Sequence, residues 1–432
     1  MADKISGPSK KSLRGLDFLN LFLADVQTGV GPYLSAFLAG SEHWNSANIG
    51  IALSASAIAT VIAQTPAGAL VDRLNQKRML LILGATFVAI GCIGLALFPT
   101  FPVVIGCQIL IGVATAIFPP AIAAVTLGLV GRRKLDQQTG RIQAFNHAGN
   151  VLAAVLSALV SFIAQKGVFF VIGAMAIGSG ISARFIRYKE IDQEVARGGG
   201  DDDDADEKDE SGEKDEKGKQ KGKPAGILKL LSDRRLLGFF CAVVIFHFAN
   251  AAMLPLVGQL LAKGRPSDST LYLSACIIVA QLVMTPTSAL VGRLAEGGRK
   301  PIFLFGFAVL PIRGVLYTLW HNPYYLVSVQ ILDGIASGIF SVLSVLVVAD
   351  LTKGTGRFNL TQGMLATAVG LGGFLSNLMA GFLVQKAGYN VGFLTLAAIA
   401  AVAFAVLLFF VPESKTDKAE KKQGSDKAAE PT

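Results

Sequence analysis

The sequence predicts an all-α membrane protein of twelve transmembrane helices, arranged as two parallel six-helix bundles with both termini in the cytoplasm. Three observations carry that prediction: a lipid-like composition, twelve long apolar runs, and an internal repeat. The chain of 432 residues is 52% hydrophobic and 16% charged, with 47 glycines and a mean hydropathy of +0.54. An average soluble domain carries about 25% charged residues. The deficit fits a surface solvated by lipid, and the glycines fit helices that must approach closely where the hydrophobic effect does not drive them together.

Each apolar run can supply the ~20 residues that a bilayer crossing needs. In order they are 17–39, 49–71, 79–98, 102–130, 142–164 and 168–187, then 236–262, 271–291, 301–320, 323–350, 361–384 and 390–412. Spans three and four are separated only by Pro99, Thr100 and Phe101, which makes them a tight hairpin. An even number of spans in each half makes the halves parallel, related by an axis along the membrane normal. The predicted organisation is therefore a cytoplasmic N-tail (1–16), an N-terminal bundle (17–189), a linker (190–235), a C-terminal bundle (236–412) and a cytoplasmic tail (413–432). The linker contains GGGDDDDADEKDESGEKDEKGKQKGKPAG, which has no apolar period, so it is predicted to be a disordered, charged tether on the cytoplasmic side.

The two halves carry the same signals. Residues 65–74 read TPAGALVDRL and residues 285–294 read TPTSALVGRL, identical at seven of ten positions. Gln108, Gly112, Ala114 and Phe118 are answered by Gln330, Gly334, Ala336 and Phe340, and Thr139-Gly140-Arg141 by Thr355-Gly356-Arg357. One unit used twice in a membrane chain implies two bundles that rock about a site between them.

Lys and Arg set the orientation. Lys4, Lys10, Lys11, Arg14, Arg73, Lys77, Arg78, Arg132, Arg133, Lys134, Arg141, Arg293, Arg299, Lys300, Lys353 and Arg357 fall on one side, and only Lys166, Lys263, Arg265 and Lys386 on the other. The first side is the cytoplasm. The net charge of +9 reports this bias; charges scattered over short loops make no nucleic-acid surface. Leu16–Ala39 is too long for a cleavable signal and carries Asp25 in its middle. Cys92, Cys107, Cys241 and Cys276 lie inside spans without ligand spacing, as small buried hydrophobes. There is no nucleotide-binding loop, no enzyme constellation and no metal or cofactor motif, so energy must come from an ion or solute gradient.

The loop after the second span carries a family resemblance. Gly68-Ala-Leu-Val-Asp72-Arg73-Leu-Asn-Gln-Lys77-Arg78 resembles the G-x-x-x-D-R-x-G-R-R loop of the major facilitator superfamily, with Asn75 in place of the second Gly and Gln76 in place of a basic residue. The twelve-span pattern extends the resemblance over all but the linker and tails. The physical reading of the loop stands beside it: Gly68 permits two helices to approach, Asp72 at a helix end can meet a neighbouring helix N-terminus, and Arg73, Lys77 and Arg78 hold the cytoplasmic face. In the family such a cluster resembles a latch that favours one access state. The second copy keeps Arg293 but has Gly292 in place of the acid, so the latch is expected on one side only. Two departures limit the subgroup. Gln108 stands where proton-coupled members often have a membrane-embedded Arg, and the fifth span lacks the G-P-x-x-G-G signature of many drug antiporters.

Ionisable residues inside spans are costly and usually functional. Asp25 lies mid-span on one face with Thr28, Gly29 and Pro32, beside Gln27; its second-half counterpart is Asn250. Gly29, Gly31 and Pro32 weaken the helix there, as suits a cavity lining. Arg313 lies about 10 Å inside span nine and Asp333 about 15 Å inside span ten, close enough in depth to pair. Such a pair is similar to that of sugar–proton symporters of this superfamily, with a static buried ion pair as the alternative. His147 with Asn146 and Asn150, and His247 with Asn250, are further cavity candidates. The expectation is a secondary transporter that moves a small organic solute by alternating access as a monomer in the cytoplasmic or plasma membrane. It is expected to be coupled to H+ through Asp25, Asp333 and Arg313, with efflux ahead of nutrient or chelate uptake. A non-transporting receptor is the remote alternative.

Overall fold

The computed structural model describes residues 8–28, 30–131, 134–197, 233–295, 298–352 and 358–414. The first residues of the predicted N-tail, the core of the predicted linker and most of the predicted C-tail lie outside the described residues, as do the side chains of Gln27 and Asp72. Every regular element among the described residues is helical.

The first predicted span is two helices, α1 (Lys10–Thr28) and α2 (Val30–Gly40). Pro32 has no N–H to give to the Thr28 carbonyl, so the ladder fails where the glycine-rich segment predicts weakness. α1 also starts well before residue 17, because hydropathy marks where lipid begins and a helix can continue through Lys10–Arg14 into the headgroups. α3 (Ser46–Arg73) is started by Asn45, whose side chain accepts from the Asn48 N–H at 2.8 Å. α4 (Lys77–Leu97) and α5 (Phe101–Val130) form the predicted hairpin. Pro102 sits in the first turn of α5, where its missing N–H costs nothing, and Gly131 stops the helix at φ 67°. α6 (Leu135–Ser161) and α7 (Gly167–Phe185) complete the first half, followed by two short 3₁₀ turns at Tyr188–Glu190 and Val195–Arg197.

The second half repeats the plan. Its first span is again divided, into α8 (Arg234–Asn250) and α9 (Met253–Gly264). No glycine marks the break, but Pro255 cannot donate to the Ala251 carbonyl, which is the same failure as at Pro32. α10 (Ser269–Leu294), α11 (Lys300–Leu316) and α12 (Pro323–Leu351) follow. The last two predicted spans run together as α13 (Phe358–Phe410), turning at Gly388, whose φ of 83° and ψ of 172° only glycine adopts readily. Among the described residues nine stretches are long and apolar enough to cross a membrane by length and composition. The divided first span, the 17-residue α11 and the doubled α13 account for the other three.

Each half has its own apolar core, one gathered around Leu16, Tyr33, Val88, Phe118 and Phe169, the other around Phe239, Phe246, Phe307, Leu343 and Phe393. The repeated Gly112 and Gly334 do the same job in each half. A β-carbon on Gly112 would collide with the Ser56 carbonyl of α3, and one on Gly334 would lie 2.5 Å from the Ala280 carbonyl of α10. These glycines bring α5 onto α3 and α12 onto α10, as small residues do between membrane helices.

The halves meet mainly at the end away from the chain termini. There Ser35 donates to the Pro255 carbonyl at 2.8 Å and accepts from Gln259 at 3.0 Å, while Tyr33 and Ser274 share a hydrogen bond of 2.9 Å. Gly40 abuts Ala262, and Gly50 abuts Asn377 and Gly381. Going toward the termini, Ser54 donates to the Phe374 carbonyl and Thr367 to Gln64. Beyond that level Leu70, Leu74, Leu290 and Leu294 are exposed, and a β-carbon on Gly68 or Gly292 would meet nothing within 4 Å. The cleft between the bundles therefore opens on the side that carries the termini.

Candidate functional site

Neighbouring contacts place the predicted polar residues at a common depth. On α6, a β-carbon at Gly149 would collide with the Leu21 carbonyl of α1 and lie 2.9 Å from Ala24, so this turn of α6 sits against Asp25. Asp25 is 1% exposed, and its Oδ2 has no hydrogen-bond partner among the described residues. Next to Gly149, Asn150 is buried and donates weakly to Asn146 at 3.5 Å. One turn away, His147 Nδ1 donates to Gln281 Oε1 of α10 at 2.8 Å, which spans the two halves. Gln281 follows Ala280, the residue against which Gly334 packs, and Gly334 follows Asp333. The sequence leads from α1 through α6 and α10 to α12 without a change of level.

Arg313 closes the belt. It ion-pairs with Asp333 through Nη1, as the matching depths predict, and its Nη2 donates to Asn250 Oδ1 at 2.8 Å and to Met253 Sδ at 3.2 Å. The guanidinium lies 5.8 Å from the Tyr317 ring and its side chain is 2% exposed, whereas the Asp333 side chain is 19% exposed. Arg313 thus sits behind Asp333 and also holds both sides of the α8–α9 break, since Asn250 ends α8 and Met253 begins α9. Ser376 of α13 supports the same break by accepting from the Ala252 N–H at 2.9 Å. His247, one turn from Asn250, packs its ring edge-on against Phe340 at 4.7 Å, and its Nε2 has no partner among the described residues.

The arrangement joins some predicted residues and separates others. Asp333, Arg313 and Asn250 form one cluster, and Asn146, His147 and Asn150 another. Asp25 stands apart from the Arg313–Asp333 pair, in the other half. The partners Gln281, Met253 and Ser376 carry no signal of their own in the sequence, because each is chosen by which helices the fold makes adjacent. Among the described residues no group of three or more His, Cys, Asp or Glu could hold a metal ion.

The loop between α3 and α4 differs in part from its expectation. Lys77 is fully buried, donating to the Leu74 carbonyl at 3.2 Å and to Gln193 at 3.3 Å, and Arg78 donates to the Ile186 carbonyl at 3.0 Å. Both side chains tie the loop to the segment after α7. Arg73 ends α3. A β-carbon on Gly68 would meet nothing within 4 Å, so the close approach expected there is absent with the cleft open on this side. Nearby ends are held by charge: Arg141 grips Asp17 through Nε at 2.9 Å and Nη2 at 2.6 Å, and Arg299 pairs with Asp350. After α7, burial pushes the Glu190 carboxyl up, but bonds from Ser12 and Ser9 and the Arg187 charge outweigh it and hold Glu190 below its ordinary range.

Comparison with known proteins agrees with this architecture. The family model of the Major Facilitator Superfamily matches residues 16–310 and 272–431. The chain is 45% identical over 403 residues, 93% of each chain, to an uncharacterised MFS-type transporter found in two strains of Mycobacterium tuberculosis. It is 26% identical over 180 residues to Citrate exporter 1 of Yarrowia lipolytica, which covers 41% of this chain and 26% of that one. Among solved structures, a mutant of the nucleoside transporter NupG superposes with a TM-score of 0.72 at 14% identity, covering 93% of this chain and 99% of that one. NupG itself gives 0.69 at 15% identity. A repeated six-helix unit, a polar belt between the bundles and the family match converge on one conclusion: the chain belongs to the Major Facilitator Superfamily and is a multi-pass membrane transporter of small solutes.

Proposed function

We propose that the chain moves a small organic solute by alternating access, driven by H+, with Asp25 and Asp333 as the proton-carrying groups and Arg313 as the partner of Asp333. The observation that carries this reading is the polar belt, which holds a carboxyl in each half, lies between two cores, and is sealed at one end and open at the other. A carboxylate buried without a cation is costly in a low-dielectric interior, and Asp25 is buried outside any ion pair among the described residues. Residues 17–189 and 236–412 are the moving halves, working as a monomer with the termini and the 190–235 linker on the cytoplasmic side. Asn146, His147, Asn150, His247 and Asn250, with Gln27, line the solute path. Gly68, Asp72, Arg73, Lys77 and Arg78 form the gate that closes on the cytoplasmic side.

Export is favoured, because the path offers few fixed charges among many apolar groups. Uptake is the second reading, favoured by the Arg313–Asp333 pair and its likeness to the pair of sugar–proton symporters. Metabolite profiling of cells and medium, with the gene deleted and overexpressed, separates the two: an exported solute builds up inside the deletant, and an imported one is depleted there. For coupling, the solute so found is loaded into proteoliposomes under an imposed pH gradient. The double variant Asp25→Asn, Asp333→Asn is expected to lose all pH-driven movement, and Asp25→Asn alone to lose at least about a hundredfold, the low end of what a proton-transfer group typically contributes. Full pH-driven transport in the double variant would falsify the proton assignment.

A further inference from the structure

We infer that the solute carried is electrically neutral and rich in hydroxyl or amide groups, and that one of its donors binds the exposed oxygen of Asp333. This deepens, and rests on, the transport reading above. The argument is an inventory of charge at the level of the belt. Among the described residues Arg313 is the one Lys or Arg side chain at mid-depth; the others stand near helix ends or in loops. Arg313 is not offered to the cleft. Its Nη1 is taken by Asp333 and its Nη2 by Asn250 and Met253, its Nε is buried, and the side chain is 2% exposed. The accessible member of the pair is the acid, with Oδ1 facing Arg313 and its side chain 19% exposed.

An anionic solute would therefore meet a carboxylate first and find the compensating cation covered. It would also pass Asp25, a buried acid of the other half. A neutral solute meets no such opposition. Asp333 accepts from a hydroxyl or N–H, while amides serve in both directions. Asn146 and Asn150 lie on one wall and Gln281 on the other, with His147 joining the walls through its bond to Gln281. Phe340, packed flat on Phe246 and against the edge of His247, supplies an apolar face on the terminal side of this level. Such a lining of several amides, one acceptor acid and one aromatic face suits a polyhydroxylated or amide-bearing molecule and gives a carboxylate or phosphate no uncovered Lys or Arg among the described residues.

The test uses the full chain in nanodiscs and thermal unfolding as the readout. The probes are glucose, myo-inositol and uridine as neutral solutes, with gluconate and citrate as anions of similar size. At least one neutral probe is expected to raise the Tm by about 2–4 °C at saturation, and both anions to leave it unchanged. Asp333→Asn is expected to abolish the shift and Asp333→Glu to restore part of it; both variants are first shown to be folded by size-exclusion profile. Stabilisation by an anion and by no neutral probe overturns the charge class and leaves solute transport standing. Stabilisation by none of the neutral probes also overturns the class, and if the metabolite profile is flat as well, the transport reading fails with it. A neutral-probe shift that survives intact in Asp333→Asn overturns the assigned contact.

Discussion

Asp333→Asn is expected to lower the thermal stability of the protein sharply and to stop transport, whereas the paired change Arg313→Met, Asp333→Leu recovers the stability and leaves transport dead. The single change strands a guanidinium that is 2% exposed, with Asn250 and Met253 as its remaining partners. Breaking a buried pair from one side costs about 3–5 kcal/mol, because the surviving charge has no counter-ion. Replacing both members by apolar side chains of similar size is often neutral or better. The two variants therefore separate holding the fold from moving the solute, which is the choice the sequence leaves open between a coupling pair and a static one. Melting curves in detergent and uptake into proteoliposomes read the two effects. Retained transport in the apolar double variant would show that the pair is structural only.

Gly50→Val is expected to hold the protein off its sealed state. A β-carbon there would lie 2.5 Å from the Asn377 carbonyl and 2.9 Å from the Gly381 Cα, both backbone atoms of the opposite half. Neither can swing aside, so α3 and α13 must part at the end away from the termini. Ile49, Ala52 and Leu53 beside Gly50 pack into the core of the first half, but the added methyls point at the opposite half, so the strain falls on the seam between the bundles. Overpacking of this kind costs about 2–3 kcal/mol, which shifts the balance between sealed and unsealed forms roughly 30- to 150-fold. The check is a cysteine placed at Ala36, 2% exposed and packed toward Gly258, in a background with Cys92, Cys107, Cys241 and Cys276 replaced. Its reaction with a membrane-impermeant maleimide should rise steeply in Gly50→Val. Unchanged labelling would mean that the seal tolerates the methyls and that this glycine contact is no part of the gate.

The spans were legible because lipid imposes a length and a composition on every crossing, and the repeat was legible because both halves answer the same packing problem at Gly112 and Gly334. The Arg313–Asp333 pair followed from depth alone. Helix ends were not legible: α1 outruns its apolar run because charged residues continue a helix into the headgroups. Contacts between the halves were largely out of reach, since nothing local tells Gln281 that His147 will face it. One signal was available and unused. In a chain duplicated about an axis, equivalent segments near that axis face each other, and α2 does meet α9, with Gly40 on Ala262 and Ser35 on Pro255 and Gln259. The Gly68 expectation failed because a loop that closes in one access state stands open in the other, and a sequence carries both states at once.

The seal between α2 and α9, described above only as a set of contacts, bears on membrane voltage. Moving one elementary charge across the bilayer is worth about 2.3 kcal/mol per 100 mV. Ser35, Gln259, Tyr33, Ser274 and the glycine seams carry no formal charge, and Arg313 travels with Asp333 as a pair that is neutral except while Asp333 carries a proton. Opening the seal therefore asks almost no work of the field. The electrical sensitivity of the cycle falls instead on Asp25, the buried acid outside any ion pair among the described residues, and on whatever charge crosses with the solute. Current recorded during turnover would count transported charge, with little gating charge from the protein to subtract.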